Sequence, residues 1–291
     1  MSPLSVVRRS MFTRGPVRRA LEVRGVLGGH RAPAVRTRLR AADGTRLAGS
    51  YLPGPPGTDL AVLLAHGFAA NRRKPAYARL ADALATRGPV LSLDLRGHGR
   101  SGGRCTWGQR EALDVAAGVA WLQAVGHPRV VTLGLSMGAT AVLYAAAQGA
   151  PVAAVIGVSG PAWIRDRAAT PALERLETTW RRPLRRHLLR LVLGVDLVDP
   201  RDWQAPDHPV QSAGTLGVPL LVVHGQDDAY FPMGDAEALH AAAGPSAVLW
   251  REPAGFGHAE DGLRPDFIEV LGRAIVEVGC SGRFPARHEV R

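Results

Sequence analysis

Ser136 is the residue of this sequence best suited to nucleophilic chemistry. It stands between Gly134 and Gly138 in the pentapeptide Gly-Leu-Ser-Met-Gly, after an apolar run and before an alanine-rich stretch. A serine hydroxyl becomes a good nucleophile when a base takes its proton and a sharp strand-to-helix turn exposes it. Flanking glycines suit such a turn, because side chains there would crowd its strained backbone. The pattern therefore predicts a nucleophile at the N-terminus of a helix, which favours developing negative charge.

Two later segments supply the partners that such a serine needs. An apolar strand pattern ending at His224 is followed by Asp227 and Asp228, and His258 lies in a glycine-rich loop after a further short strand. In enzymes with this kind of turn the chain order is serine, then acid, then histidine. We therefore expect His258 to be the base and one of the two aspartates to orient it. The residues alone leave open which aspartate does so.

An oxyanion hole requires two backbone N–H groups aimed at the carbonyl oxygen of the substrate. One is expected from Met137, the residue after the nucleophile. The other is expected from Phe68, in the loop that follows the apolar run 60–65. His66 precedes that loop and is interpreted as a residue that braces it rather than as a base.

These segments resemble the α/β-hydrolase superfamily, and within it the serine aminopeptidase-like and monoacylglycerol-lipase-like esterases. The matching motifs are His66-Gly67-Phe68, the segment 94–101, the Ser136 pentapeptide, the segment 224–228 and Gly255-Phe256-Gly257-His258. In that superfamily the acid commonly lies three residues after the glycine of the turn, so the resemblance implies Asp228. It also implies a helical cap inserted before the acid, and it covers roughly residues 35–278.

The fold class expected from this reading is α/β. A mostly parallel central sheet of about eight strands should carry helices on both faces, because its valine- and leucine-rich runs lack polar alternation. We expect a hairpin over 36–52, then strands at 61–65, 90–94, 130–135, 152–158, 219–224 and 247–250. Helical patterns fall at 75–86, 105–125, 139–148, 233–243 and 267–278. Residues 1–34 form a basic arm expected to be poorly ordered, 35–278 the hydrolase domain, and 279–291 a C-terminal tail.

Residues 161–214 interrupt the alternation of strands and helices and are predicted to be the cap. Their prolines imply several short helices. Six apolar residues fall at helical spacing and are expected to pack onto the catalytic domain: Leu173, Leu176, Trp180, Leu184, Leu188 and Leu191. The residues proposed to line an apolar substrate pocket are Trp163, Trp180, Leu184 and Leu188. The cap is also rich in arginine, which suits either a solvated face or contact with an anionic membrane surface.

The formal net charge of +11 is concentrated at one end of the chain. Residues 1–40 contain ten arginines and a single acidic residue, Glu22. Such an arm can bind polyanions nonspecifically, and no specific nucleic-acid partner is expected. Arg8-Arg9 is not followed by the apolar run of an export signal, and no apolar stretch is long enough to span a membrane. We therefore expect a cytoplasmic protein, with peripheral membrane contact as an open possibility.

The expected activity is that of a serine hydrolase that needs no cofactor and no metal. Cys105 and Cys280 have no metal-ligand spacing and form no disulfide framework. The expected substrate is a carboxylic ester of small or medium acyl length, monoacylglycerol-like lipids included, which would form an acyl-enzyme on Ser136. A thioesterase or acyltransferase would use the same triad. A ligand receptor on a hydrolase scaffold is the alternative from another functional class.

Overall fold

The computed structural model describes residues 15–164 and 170–290 and contains an eight-stranded sheet. In chain order the strands are β1 (Val35–Arg40), β2 (Arg46–Leu52), β3 (Leu60–Ala65), β4 (Val90–Asp94), β5 (Arg129–Leu135), β6 (Ala154–Val158), β7 (Leu220–Gly225) and β8 (Ala247–Glu252). Their spatial order is β1-β2-β4-β3-β5-β6-β7-β8. Strand β2 pairs antiparallel with β1 and β4, and the remaining pairs are parallel.

Helices connect these strands and cover both faces of the sheet. In chain order they are α1 (Pro16–Val23), α2 (Pro75–Leu84), α3 (Glu111–Ala124), α4 (Met137–Ala147), α5 (Pro171–Arg181), α6 (Pro183–Leu193), α7 (Pro209–Gly214), α8 (Met233–Ala243) and α9 (Pro265–Ser281). Neighbouring residues of a strand point to opposite faces, so Leu63 packs in the core layer with α3, α4 and α8, whereas Leu64 packs with α2 and α9. The predicted mostly parallel sheet with helices on both faces is confirmed.

Helix α3 begins later than the predicted range 105–125, because Glu111 ties the preceding residues into a turn. Its carboxylate accepts hydrogen bonds from the backbone N–H of Thr106 and of Gly108 and from the Thr106 hydroxyl, at 2.6–2.9 Å. Between them Trp107 adopts φ +60°. This turn places the Trp107 ring 4.7 Å, centroid to centroid, from that of Phe68 in the loop after β3.

The described parts of the predicted arm and tail pack against the domain, which the sequence analysis did not expect, and residues 1–14 of the arm lie outside the described residues. In the arm predicted over 1–34, α1 lies against the domain, and the Asn71 side chain donates to the carbonyls of Glu22 and Val23 at 3.1 and 2.5 Å. In the tail predicted over 279–291, α9 continues to Ser281 and Phe284 is buried. Both differences arise from long-range contacts that local sequence patterns do not encode.

Within the described residues, no helix is both long and apolar enough to cross a membrane.

Candidate active site

Ser136 lies at a sharp turn between β5 and α4. Its backbone has φ +53° and ψ −118°, a conformation that L-residues rarely adopt. The chain passes so close to itself that a Cβ on Gly134 would lie 2.1 Å from the carbonyl oxygen of Gly138, and a Cβ on Gly138 would lie 2.3 Å from that of Ala65. Both positions therefore require glycine. The turn presents the serine at the N-terminal end of α4, where the helix dipole favours negative charge.

His258 links Ser136 to Asp228 through hydrogen bonds from its two ring nitrogens. Its Nε2 lies 2.9 Å from the Oγ of Ser136, and its Nδ1 lies 2.8 and 3.0 Å from the carboxylate oxygens of Asp228. The imidazole is 13% exposed and the Asp228 side chain is fully buried. This geometry allows a proton to move between Ser136 and His258 while the carboxylate fixes the ring tautomer.

Asp228 is held in its ionised form. Burial by itself raises the pKa of this carboxyl, but the hydrogen bond and charge of His258, together with the backbone N–H groups of Phe231 and Tyr230, bring the pKa below its ordinary value. Those N–H groups donate to Oδ1 at 3.1 and 2.8 Å. An aspartate fixed in this way orients the imidazole and stabilises its protonated form.

Asp227, the other aspartate that the sequence left open, contacts a different part of the His258 loop. Its carboxylate accepts hydrogen bonds from the N–H groups of Gly255 and Gly257 at 2.8 and 2.9 Å. It therefore shapes the loop that carries the histidine and has no described contact with the imidazole. The geometry favours Asp228 as the acid, as the resemblance implies.

A second contact fixes the loop from the other side. The Ser159 hydroxyl, at the end of β6, accepts the backbone N–H of Ala259 at 3.0 Å. Ser159 and Ala259 both have positive φ, +53° and +49°. The Tyr230 ring also lies 4.4 Å from the imidazole, centroid to centroid. Sequence reasoning did not single out Ser159 or Tyr230, because neither belongs to a recognisable motif.

The loop after β3, which contains Phe68, is fixed by hydrogen bonds on both sides of that residue. The N–H of Gly67 donates to the Tyr77 hydroxyl at 2.9 Å, and that of Ala69 donates to Nε2 of His98 at 3.3 Å. The N–H groups of Gly67 and Ala69 thus have acceptors within the protein, and we expect the intervening Phe68 N–H to bind the substrate oxygen. Met137 is the first residue of α4, so its N–H has no carbonyl partner within the helix. The two expected oxyanion donors thus belong to segments on either side of Ser136.

Two buried, neutral histidines support this loop. Burial lowers the pKa of His66 to about 4 and that of His98 to about 3. The Nε2 of His66 accepts the N–H of Leu95 at 3.0 Å, so its Nδ1–H donates to the carbonyl of Gly67 at 2.8 Å. His66 is fully surrounded by protein, in agreement with a bracing role. His98 has the same role, which the sequence analysis did not assign.

A row of aromatic rings runs from the loop after β3 into the cap. Phe68 lies 4.7 Å from Trp107, Trp107 lies 5.6 Å from Trp180, and Trp180 lies 5.1 Å from Trp203, measured between ring centroids. The indole N–H groups of Trp180 and Trp203 donate to backbone carbonyls. Of the four residues expected to line a pocket, Trp180 is the one that joins this row.

The other three residues expected to line a pocket are more exposed than that expectation implies. Leu184 is 70% exposed, Leu188 is 48% exposed and Trp163 is 41% exposed. On α6 it is Leu189 and Leu193 that pack against the core. Helical spacing identifies an apolar stripe but does not say which stripe faces inward when a helix has two. The predicted cap boundary changes as well, because Ala213 of α7 is buried in the core of the domain.

In the part of the chain that the structure describes, no cluster of three or more histidine, cysteine or acidic side chains is arranged to hold a metal ion.

Comparison with known proteins agrees with the architecture. A family model described as alpha/beta hydrolase fold matches residues 61–190. Similar solved structures include the esterase Pf2001 of Pyrococcus furiosus (20% identity, TM-score 0.66, 84% of this chain and 92% of that chain). They also include an alpha/beta hydrolase of Novosphingobium aromaticivorans (21%, 0.60, 84% and 99%) and the esterase RhEst1 of Rhodococcus (19%, 0.57, 88% and 99%). No curated protein matches the chain in sequence.

Proposed function

We propose that the protein is a member of the α/β-hydrolase superfamily and a serine hydrolase that cleaves carboxylic esters; the family-model match and the shared fold support this proposal. The observation that carries the proposal is the position of His258, within hydrogen-bond distance of both Ser136 and Asp228. Three side chains from separate loops meet there, and the contacts run from the acid to the histidine and from the histidine to the serine, as acyl transfer requires.

In the acylation step, Ser136 Oγ attacks the ester carbonyl carbon while its proton passes to Nε2 of His258. The carbonyl π electrons move to the oxygen, which accepts hydrogen bonds from the N–H groups of Phe68 and Met137. The tetrahedral intermediate collapses when the imidazolium gives its proton to the alcohol oxygen, so the C–O bond breaks and the alcohol leaves. Asp228 remains a carboxylate throughout.

Deacylation repeats these steps with water as the nucleophile. His258 takes a proton from water as its oxygen attacks the acyl-enzyme carbonyl, and the same two N–H groups stabilise the second oxyanion. The imidazolium then returns the proton to Ser136 Oγ as the acid product leaves. The residues that orient His258 therefore serve both halves of the reaction.

The aromatic row supports an apolar substrate. Phe68, Trp107 and Trp180 present ring surface beside the proposed oxyanion hole. Aromatic side chains bind acyl or alcohol groups by burying apolar area. We propose a small or medium acyl chain, with monoacylglycerol-like esters among the candidates.

Hydrolysis of p-nitrophenyl esters of increasing chain length tests the proposal. The wild type should release p-nitrophenol with a length optimum, and Ser136→Ala should reduce kcat by about 10³-fold or more, because the nucleophile is lost. Ser246→Ala, a serine in the turn before β8, is the matched control and should retain activity. A burst of p-nitrophenol equal to the enzyme concentration would report the acyl-enzyme.

The same series separates the alternatives. If thioesters are cleaved much faster than matched oxygen esters, the thioesterase assignment replaces this one. If an added alcohol converts part of the acid product into a new ester, the acyltransferase assignment replaces this one. Activity that is equal in wild type and Ser136→Ala would overturn the proposal. A wild type that binds esters without turnover would point to a receptor.

A further inference from the structure

Helix α6 has apolar residues on two opposite faces, and only one face packs against the protein. Leu189 and Leu193 pack against the core. The other face carries Leu184, Leu188, Leu191 and Val192, which are 70%, 48%, 56% and 52% exposed. Successive members of this outer set are three or four residues apart or adjacent, so they form one continuous stripe along the helix.

Such a stripe requires a physical explanation. Single exposed leucines are common on soluble proteins, whereas a contiguous apolar row on a helix marks an interaction surface. Helix α6 has 11 residues, too few to cross a membrane but enough to lie along its surface.

Helix α1 lies beside α6. The guanidinium of Arg24, which follows α1, donates to the carbonyls of Leu191 and Val192, with Nε 2.9 Å from the carbonyl oxygen of Val192. This contact fixes α1 beside the C-terminal end of α6. We call the outer stripe of α6, formed by Leu184, Leu188, Leu191 and Val192, the cap surface.

Positive charge surrounds the cap surface. Helix α6 contains three arginines and no acidic residue. Arg186 points inward to Asp199, whereas Arg185 is exposed at the edge of the stripe and Arg190 is 65% exposed, with a long contact of 3.6 Å to Asp196. The sequence before α1, residues 1–14, adds three arginines and no acidic residue. The partner of this surface must therefore offer apolar groups to the leucines and negative charge to the arginines.

We propose that the cap surface docks on an anionic phospholipid bilayer, with the leucine stripe at the acyl-chain boundary and the arginines on headgroup phosphates. A second copy of the chain is disfavoured, because a symmetric contact would bring the arginines of two α6 helices together. Residues 1–14 are disfavoured as a cover for the stripe, because their three arginines would lie beside those of α6. A bilayer accepts both groups, since lipid tails bury the leucines and phosphates pair with arginine.

The docking surface is independent of the proposed ester hydrolysis, and its test uses the inactive variant. Full-length Ser136→Ala is floated with vesicles of phosphatidylcholine alone or of equal parts phosphatidylcholine and phosphatidylglycerol. We expect binding to the anionic vesicles, weakened by salt, and little binding to the neutral ones. Equal binding to both compositions, or to neither, would overturn the proposal.

A stripe variant tests the residues. Leu184→Ser, Leu188→Ser and Leu191→Ser together, in the Ser136→Ala background, should raise the vesicle Kd by about tenfold or more, because the buried apolar area is lost. The matched control places Val35→Ser, Val125→Ser and Val276→Ser at exposed valines outside the cap surface and should leave the Kd unchanged. Thermal unfolding confirms that both variants fold. A stripe variant that binds like the control would refute the assignment.

Two further measurements test whether a second copy of the chain or residues 1–14 covers the cap surface instead of a bilayer. Light scattering across a concentration range should show no dimer that depends on the leucine stripe; such a dimer would assign the surface to a second copy instead. Deleting residues 1–14 should leave the vesicle Kd unchanged or raise it, because three arginines are lost. A tenfold tighter Kd after deletion would mean that this segment covers the stripe, and would overturn the proposal.

Discussion

Asp227 and Asp228 are neighbours in the chain but hold different parts of the same loop. Asp228 accepts hydrogen bonds from the imidazole of His258, whereas Asp227 accepts them from the backbone of Gly255 and Gly257. One carboxylate orients the ring and the other shapes the loop that delivers it. The two substitutions Asp228→Asn and Asp227→Asn change the same chemical group and should have different consequences.

Asp228→Asn should reduce kcat by about 10³-fold or more, since the amide can stabilise neither the required tautomer nor the imidazolium. Asp227→Asn should reduce kcat by about 10–100-fold, because a loosened loop misplaces His258 without removing its partner. Ester kinetics over a range of pH provide the test. Asp228→Asn should change the shape of the pH–rate profile. Asp227→Asn should lower the rate by the same factor at every pH and leave the shape unchanged. Equal losses with equal profiles would contradict this division of roles.

Gly134→Ala should destabilise the protein by about 2–4 kcal/mol, because the new Cβ would lie 2.1 Å from a backbone oxygen that cannot move freely. Gly217→Ala is a suitable control, since a Cβ there meets no atom within 4 Å. Urea unfolding measures both. A Gly134→Ala variant as stable as the control would show that the turn at Ser136 is less tightly packed than described.

Tyr77→Phe should lower kcat more than it raises KM. The substitution removes the acceptor of the Gly67 N–H and leaves a buried donor unpaired beside the proposed oxyanion donor. Tyr51→Phe is the matched control, because its hydroxyl contacts His127, on the segment between α3 and β5. Both variants should lose about 1–2 kcal/mol of stability. If kcat fell equally in both, the link between Tyr77 and the oxyanion loop would be wrong.

The buried histidines predict loss of stability in mild acid. The folded-state pKa of His98, about 3, is below its ordinary value near 6.5, so the unfolded chain takes up the proton first as the pH falls. The free energy of unfolding should therefore decrease as the pH falls from ~6.5 to ~4, by an amount on the order of 3 kcal/mol for this group. His98→Gln should flatten that decrease, and the exposed His288→Gln should not. Parallel curves for the two variants would argue against a neutral His98.

The parts of the site that could be predicted are those with a local signal. The turn at Ser136 needs two glycines in a fixed pattern, and its strand and helix precede and follow it directly in the sequence. The roles of Asp227 and His98 depend on which backbone groups lie opposite them, which the chain's own pattern does not encode. The hydrophobic period of α6 is satisfied by either face, so the sequence did not reveal that Leu189 and Leu193 face the core while Leu184 and Leu188 are exposed.

The position of the cap between β6 and β7 has a consequence for how such a chain can diversify. Ser136 lies before this interval, and Asp228 and His258 lie after it on β7 and β8 loops. Helices α5 and α6 could be exchanged as a cassette in recombination without altering the register of any strand that carries the triad. The contacts of Trp180 with Trp107 and of Arg24 with the end of α6 would be the junction in such an exchange. New substrate preferences could thus arise by replacing one inserted segment while Ser136, Asp228 and His258 keep their positions.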